Sequence, residues 1–118
     1  MTVTGIDFVA LQVRDLERAA EFYETRLGLK RAPGPPHAIV FATEPIAFAV
    51  REPLPGMDLP ERPGAGVALW LKAGDAQRLH DELQAAGVPI VTPPVDGPFG
   101  RTFSFADPEG YVITIHDR

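Results

Sequence analysis

The same order of local signals occurs twice in this chain: an alternating segment, an aspartate, an amphipathic stretch and a glycine. Residues 8–13 read FVALQV and residues 66–71 read GVALWL, and both share Val-Ala-Leu with the period-two alternation that indicates a strand. The aspartates that follow, Asp15 and Asp75, stand where a helix N-cap is expected. A repeat of one supersecondary unit predicts two similar modules that each contribute a strand and a helix.

Each aspartate precedes one predicted helix, over about 16–27 in the first half and about 76–86 in the second. Gly28 and Gly87 follow these helices at the left-handed position that commonly ends a helix. Each helix carries an apolar stripe at helical spacing, so each is expected to pack one face on a sheet. The stripes are Leu16, Ala20, Tyr23 and Leu27 in the first helix, and Leu79, Leu83 and Ala86 in the second.

Strand-like segments follow each helix, and a segment rich in proline separates the halves. Residues 53–64 contain four prolines and two glycines, which predicts a linker. The predicted fold class is α+β, with two βαβββ modules whose curved mixed sheets form a concave cleft and whose helices lie outside. The domain covers residues 1–118, with module one over about 1–52, the linker over about 53–64 and module two over about 65–118. The further strands are predicted at 29–32, 38–42, 46–50, 90–91, 102–105 and 111–116.

Composition excludes several classes of protein. The 118 residues include no cysteine, which excludes disulfides and cysteine-based metal or redox sites. The formal net charge of −5 argues against nucleic acid as a partner, because phosphate binding needs clustered lysine and arginine. The sequence shows no signal peptide and no apolar run that spans a bilayer, so we expect a cytoplasmic protein without a membrane partner. Familiar catalytic motifs are also missing, and no catalytic residue is predicted.

Three stretches resemble the vicinal oxygen chelate superfamily, also called the glyoxalase, bleomycin-resistance and dioxygenase superfamily. The first covers residues 9–29 and includes Phe22-Tyr23 and Leu27-Gly28-Leu29, and the second covers residues 79–88. The third, residues 98–111, is the most specific, because aromatic alternation leads into Asp107-Pro108-Glu109-Gly110. The resemblance covers nearly the whole chain and implies the same pair of βαβββ modules.

The resemblance also implies where metal-dependent relatives hold their metal, and this sequence lacks donors at those positions. The expected ligands fall on Phe8 and Gly66, directly before each Val-Ala-Leu, and on Phe48 and Thr114 in the last strand of each half. Phenylalanine and glycine offer no side-chain donor, and a lone threonine is a poor ligand. We therefore expect no metal and no cofactor, and no isomerase or dioxygenase chemistry through these positions.

A displaced metal site is the alternative that the histidines leave open. His80 is predicted to face solvent, His37 begins a strand, and His116 shares a strand face with Thr114. A site built from His37 and His116, or acid–base chemistry by His116, would make the protein a lyase, an isomerase or a dioxygenase-type enzyme.

Without metal donors, the predicted cleft becomes a mostly apolar binding site. Residues that alternate with the expected ligand positions face the same side of their strands. Aromatic walls with a few polar anchors are typical of a small-molecule site, although aromatic residues also commonly fill a core. Arg101 is expected at the rim, where it would hold an acidic group. The predicted ligand-binding residues are Phe8, Gln12, Phe48, Trp70, Arg101, Thr114 and His116.

The leading hypothesis is a metal-free small-molecule binding protein of the glyoxalase/bleomycin-resistance type that sequesters an aromatic or antibiotic ligand. An enzyme, as above, and a structural or regulatory interaction module are the alternatives. The resemblance implies a homodimer with ligands at clefts that both chains share. The sequence neither names the ligand nor decides whether the modules pair within one chain or swap between chains.

Overall fold

A computed structural model describes residues 2–118. The chain divides into two compact units, residues 1–59 (unit 1) and 60–118 (unit 2), and this boundary falls within the segment predicted as a linker. Each unit contains one helix and one open, four-stranded mixed sheet, which confirms the α+β class and the two βαβββ modules. Within the described residues, neither helix has the length and hydropathy that a membrane span requires.

Unit 1 begins with a strand, a capped helix and three further strands. The Asp15 side chain accepts a hydrogen bond from the amide of Arg18, and Gly28 has a φ of 73°, so both predicted helix signals are confirmed. The sheet order is β1-β4-β3-β2, with β1 and β4 parallel and the other pairs antiparallel. The elements are β1 (Phe8–Gln12), α1 (Leu16–Thr25), β2 (Arg31–Ala32), β3 (Ala38–Phe41) and β4 (Ala47–Arg51).

Unit 2 repeats this plan, with the sheet order β5-β8-β7-β6. The Asp75 side chain accepts from the amide of Arg78, and Gly87 has a φ of 84°. The third strand is longer than residues 90–91, because its pairing continues across an irregularity between Thr92 and Val95, where consecutive prolines stand at 93 and 94. The elements are β5 (Leu69–Lys72), α2 (Ala76–Ala85), β6 (Ile90–Gly97), β7 (Gly100–Ala106) and β8 (Val112–His116).

The core of unit 1 lies between α1 and one face of its sheet. The Tyr23 ring of α1 lies 5.1 Å from the Phe48 ring and 6.1 Å from the Phe41 ring, measured between centroids. Phe48 is 4% exposed, so its predicted position on the face opposite the helix is wrong. Ala10 pairs with Ala49 two positions before the end of the parallel ladder of unit 1, and Trp70 pairs with Thr114 at the same place in unit 2. Ala49 is therefore the counterpart of Thr114. The prediction was displaced by one residue, and such a shift moves a side chain to the other face.

The structure aligns the first strands of the two units differently from their shared Val-Ala-Leu sequence. The last pair of the parallel ladder is Gln12 with Arg51 in unit 1 and Lys72 with His116 in unit 2. Counting back four residues from Gln12 and from Lys72 makes Ala68 the counterpart of Phe8. Gly66 was predicted to be that counterpart, but it lies in a turn before β5. The displacement here is two residues, and an even shift preserves the face of every side chain.

The core of unit 2 includes a histidine that was expected to face solvent. His80 is buried, and its ring lies edge-on to Phe103 with 5.3 Å between the centroids. Its Nδ1 lies 2.9 Å from a carboxylate oxygen of Asp81, so the buried imidazole has a polar partner. His80 is four residues from Ala76 and three from Leu83, both buried, which places it inside the apolar stripe of α2.

The two phenylalanines predicted for one face are expected to differ sharply in their contribution to stability. Phe48→Ala should lower the free energy of unfolding by about 3–5 kcal/mol, because it leaves a cavity beneath α1. Phe8 is 48% exposed, and Phe8→Ala should cost less than about 1 kcal/mol. Urea denaturation of the two variants and the parent chain measures both values. Equal losses would contradict the assignment of these residues to opposite faces.

Candidate functional site

The sheet of unit 2 has one face that α2 does not cover. Phe103 contacts α2, so its neighbours in β7, Thr102 and Ser104, point to the opposite face. Cross-strand pairing continues this face through β8 and β5. We call it the open face, and its residues are Trp70, Lys72, Thr102, Ser104, Val112, Thr114 and His116.

Three rings gather at one end of the open face and form an aromatic cluster of Trp70, Phe99 and His116. The Trp70 ring centroid lies 5.6 Å from that of Phe99 and 5.8 Å from that of His116, and the last two are 6.4 Å apart. Trp70 is 46% exposed and Phe99 is 54% exposed. Large aromatic side chains that stay this exposed mark a surface where another molecule commonly binds.

The rings of the cluster form a corner. The planes of Trp70 and Phe99 meet at 70°, and His116 is inclined by 57° to Trp70 and by 78° to Phe99. A flat group that stacks on the Trp70 indole therefore lies steeply inclined to Phe99, as an edge-to-face contact requires. This combination of face and edge contacts is the geometry that aromatic pairs prefer.

Polar groups border the cluster on the same face. Thr114 pairs with Trp70 in the sheet, and Lys72 pairs with His116. The Nδ1 atom of His116 lies 3.0 Å from the backbone oxygen of Arg118. Because that oxygen can only accept, Nδ1 donates, and the neutral ring presents Nε2 as an acceptor.

The C-terminal residues hold Phe99 in place. Phe99 lies at the tip of the hairpin between β6 and β7, and its carbonyl accepts a hydrogen bond of 3.1 Å from the amide of Arg118. The Asp117 carboxylate accepts 2.9 Å and 3.3 Å hydrogen bonds from the amides of Arg101 and Ala76. Gly100 has a φ of 82°, and a Cβ there would lie against Oδ1 of Asp117 and 3.1 Å from the amide nitrogen of Arg118, so the hairpin favours glycine at this position.

The side chain of Arg101 lies away from the aromatic cluster. Its guanidinium donates to both carboxylate oxygens of Asp96, at 3.1 Å and 3.0 Å, and to the Gln77 side chain of α2 at 2.8 Å. These partners place it on the helix side of β7, since Arg101 alternates with Thr102 of the open face. The guanidinium therefore joins the hairpin to α2, and its predicted position at the rim beside the aromatic walls does not hold.

The structure brings together Trp70, Thr114 and His116 of the predicted set. Phe8 and Gln12 belong to unit 1, and the Gln12 side-chain oxygen accepts a 2.8 Å hydrogen bond from the amide of Leu54. Phe99 was missed, although the sequence carries a signal for it. An exposed aromatic residue within Gly97-Pro98-Phe99-Gly100 is unusual, because turn positions favour small and polar residues.

Unit 1 carries a shallow pocket of its own, with a volume of about 370 Å³. It lies where β4 ends, and its lining includes the Arg51 side chain, whose Nε donates a 3.0 Å hydrogen bond to the carbonyl of Glu52. The pocket contains none of the rings of the aromatic cluster. Its lining residues are His37, Arg51, Glu52, Pro53 and Pro55.

The donor chemistry of the chain does not fit the metal site that the family resemblance implies. Phe8 and Ala68, the corresponding first-strand residues, have no donor atom in their side chains. Thr114 supplies one hydroxyl, and its counterpart Ala49 supplies none. Among residues 2–118, no three histidine, cysteine or carboxylate side chains gather as a metal site would require.

The Asp117 contacts predict a dependence of stability on pH. The hydrogen bond from the Arg101 amide lowers the pKa of Asp117 below its usual value, and the Ala76 amide and the Arg101 charge lower it further. A carboxyl group whose pKa falls on folding stabilises the protein above its unfolded pKa of about 4, and this contribution is lost as the pH falls through the folded pKa. Asp117→Asn should therefore lower Tm at pH 6, and the difference from the parent chain should shrink towards pH 3. A Tm difference that stays constant over this range would contradict the assignment.

Comparison with solved structures gives matches over nearly the full chain. TnmS3, an antibiotic-binding protein from Streptomyces sp. CB03234, is 27% identical with a TM-score of 0.75, and the match covers 99% of this chain and 98% of that one. A glyoxalase/bleomycin resistance protein from the same organism is 27% identical with a TM-score of 0.73, covering 96% and 100%. A protein of unknown function from Agrobacterium tumefaciens str. C58 is 25% identical with a TM-score of 0.80, covering 100% and 97%.

A search of curated protein sequences gives no match. The family model of the Glyoxalase/Bleomycin resistance protein/Dioxygenase superfamily matches residues 5–115. That match includes every helix and strand of both units except the last residue of β8, His116. The chain therefore belongs to the Glyoxalase/Bleomycin resistance protein/Dioxygenase superfamily.

Proposed function

We propose that this protein binds a small molecule with a flat aromatic group, without a metal, and that the aromatic cluster of unit 2 is its main contact surface. The observation that carries the proposal is the exposure of Trp70 on a strand and of Phe99 on the adjoining hairpin. Each ring has other rings at its edge and solvent over much of its surface. Stacking of a ligand ring would remove that apolar surface from water.

The position of these rings argues for binding over a role in the core. The core of unit 2 is already formed by side chains on the helix side of the sheet, such as Phe103, Phe105, Ile113 and Ile115. The aromatic cluster lies on the other side and adds nothing to that core. Exposed apolar side chains reduce solubility, so a tryptophan and a phenylalanine together on a surface need a compensating use.

The comparisons support the same class of function. TnmS3 is an antibiotic-binding protein, and it matches this chain along nearly its whole length. The metal-free part of the proposal rests on donor chemistry, since the open face offers His116 and the hydroxyls of Thr102 and Thr114 but no carboxylate. The hydroxyl of Ser104 is buried and hydrogen-bonded to that of Thr92. Exposed aromatic rings bordered by polar groups suit an organic ligand better than an ion.

Fluorescence titration tests the proposal directly, because Trp70 is the single tryptophan of the chain. Bleomycin and doxorubicin, which both carry flat aromatic groups, are suitable probes. We expect saturable quenching of Trp70 by at least one of them. Calorimetry should show that Trp70→Ala weakens this binding by at least about ten-fold and Phe99→Ala by about five-fold, as expected for aromatic residues at the centre of a contact.

Met57→Ala is the matched control, because Met57 is also exposed and apolar but lies in unit 1. It should bind the probe as the parent chain does. Binding that survives Trp70→Ala unchanged, or the absence of quenching by both probes, would overturn the proposed surface. Metal analysis of protein purified without chelators tests whether the protein is free of metal. A stoichiometric divalent ion would contradict that part of the proposal.

A further inference from the structure

We infer that the ligand carries a hydroxyl group on its aromatic ring, and that this hydroxyl donates a hydrogen bond to Nε2 of His116. The inference rests on the proposed function, because it assigns a chemical class to a ligand of the aromatic cluster. The hydrogen bond of the His116 ring and the ring's distance from Trp70 indicate this group.

A hydrogen bond to Arg118 determines which nitrogen of the neutral His116 ring carries the proton. Nδ1 donates to the backbone oxygen of Arg118 over 3.0 Å. A backbone oxygen accepts only, so this contact fixes the proton of the neutral imidazole on Nδ1. Nε2 then has a lone pair in the ring plane and accepts from a donor on the ligand.

The His116 ring lies close enough to Trp70 for one ligand to contact both residues. The Trp70 and His116 ring centroids are 5.8 Å apart, so a ligand ring that contacts the indole lies within reach of the imidazole. Substituents on a flat aromatic group lie in its plane and project beyond its edge. A hydroxyl at the edge nearest His116 can therefore reach the imidazole while the ring remains in contact with Trp70.

A positively charged side chain, that of Lys72, lies beside His116 in the sheet. Lys72 pairs with His116 across β5 and β8, and its exposed side chain shares the open face. An ammonium group only donates, so it suits the oxygen of the same hydroxyl. The two residues together offer one acceptor and one donor, which is the complement of a hydroxyl group. A carboxylate would satisfy Lys72 but would place a second acceptor against Nε2.

Matched probes separate these chemistries. Naphthalene, 2-naphthol, 2-methoxynaphthalene and 2-naphthoate share one ring system and differ in the group at its edge. Ligand-observed saturation-transfer NMR, with titration of each probe, gives their relative affinities for the complete chain. We expect 2-naphthol to bind about five-fold more tightly than 2-methoxynaphthalene, which is the ratio expected for one added hydrogen bond.

The variant His116→Phe keeps a ring of similar size and removes Nε2. It should lose the preference for 2-naphthol over 2-methoxynaphthalene, because the ratio of the two affinities depends on Nε2 whatever the affinity for naphthalene becomes. His37→Phe, which changes a histidine of unit 1, is the matched control and should keep the preference. Thermal unfolding of both variants confirms that each is folded under the conditions of the measurement.

The outcomes distinguish this inference from the proposed function. Equal binding of 2-naphthol and 2-methoxynaphthalene to the parent chain, or tighter binding of 2-naphthoate, overturns the inference and leaves the aromatic surface intact. A preference that survives His116→Phe also overturns it. No saturation transfer to any of the four probes contradicts the proposed function itself.

Discussion

One helix packed against one face of each four-stranded sheet is the constraint from which the other features follow. The helix covers only that face, so each residue of a regularly paired strand is assigned by its parity either to the core or to the face opposite. In unit 1 this packing buries Phe41 and Phe48 against Tyr23. In unit 2 it buries Phe103 against His80 and leaves Trp70 on the other side.

The sequence alone was sufficient for features with local causes. Asp15 and Asp75 cap their helices, and Gly28 and Gly87 end them, because each effect depends on a few consecutive residues. Assignments across the sheet depended on register, which local patterns do not fix. An error of two residues at Gly66 left the face of Trp70 correct, whereas an error of one placed Phe48 on the wrong side.

The candidate site was predictable in part for the same reason. Trp70, Thr114 and His116 lie on paired strands, so alternation alone brought them together. Phe99 reaches the cluster through the conformation of a hairpin held by Arg118 and Asp117, and no periodicity describes such a contact. Arg101 was misplaced because its partners, Asp96 and Gln77, come from a neighbouring strand and from α2.

The two units use the same framework with different side chains at matching positions, and this has a consequence for how the protein can change. Ala10 and Ala49 of one unit correspond to Trp70 and Thr114 of the other, yet both sheets keep the same order and pairing. Substitutions at Trp70 and Thr114 leave the packing between α2 and its sheet untouched, because both side chains lie on the open face. A lineage of such proteins can therefore change the chemistry of this face by surface mutation alone, while the packing that stabilises the fold is inherited unchanged.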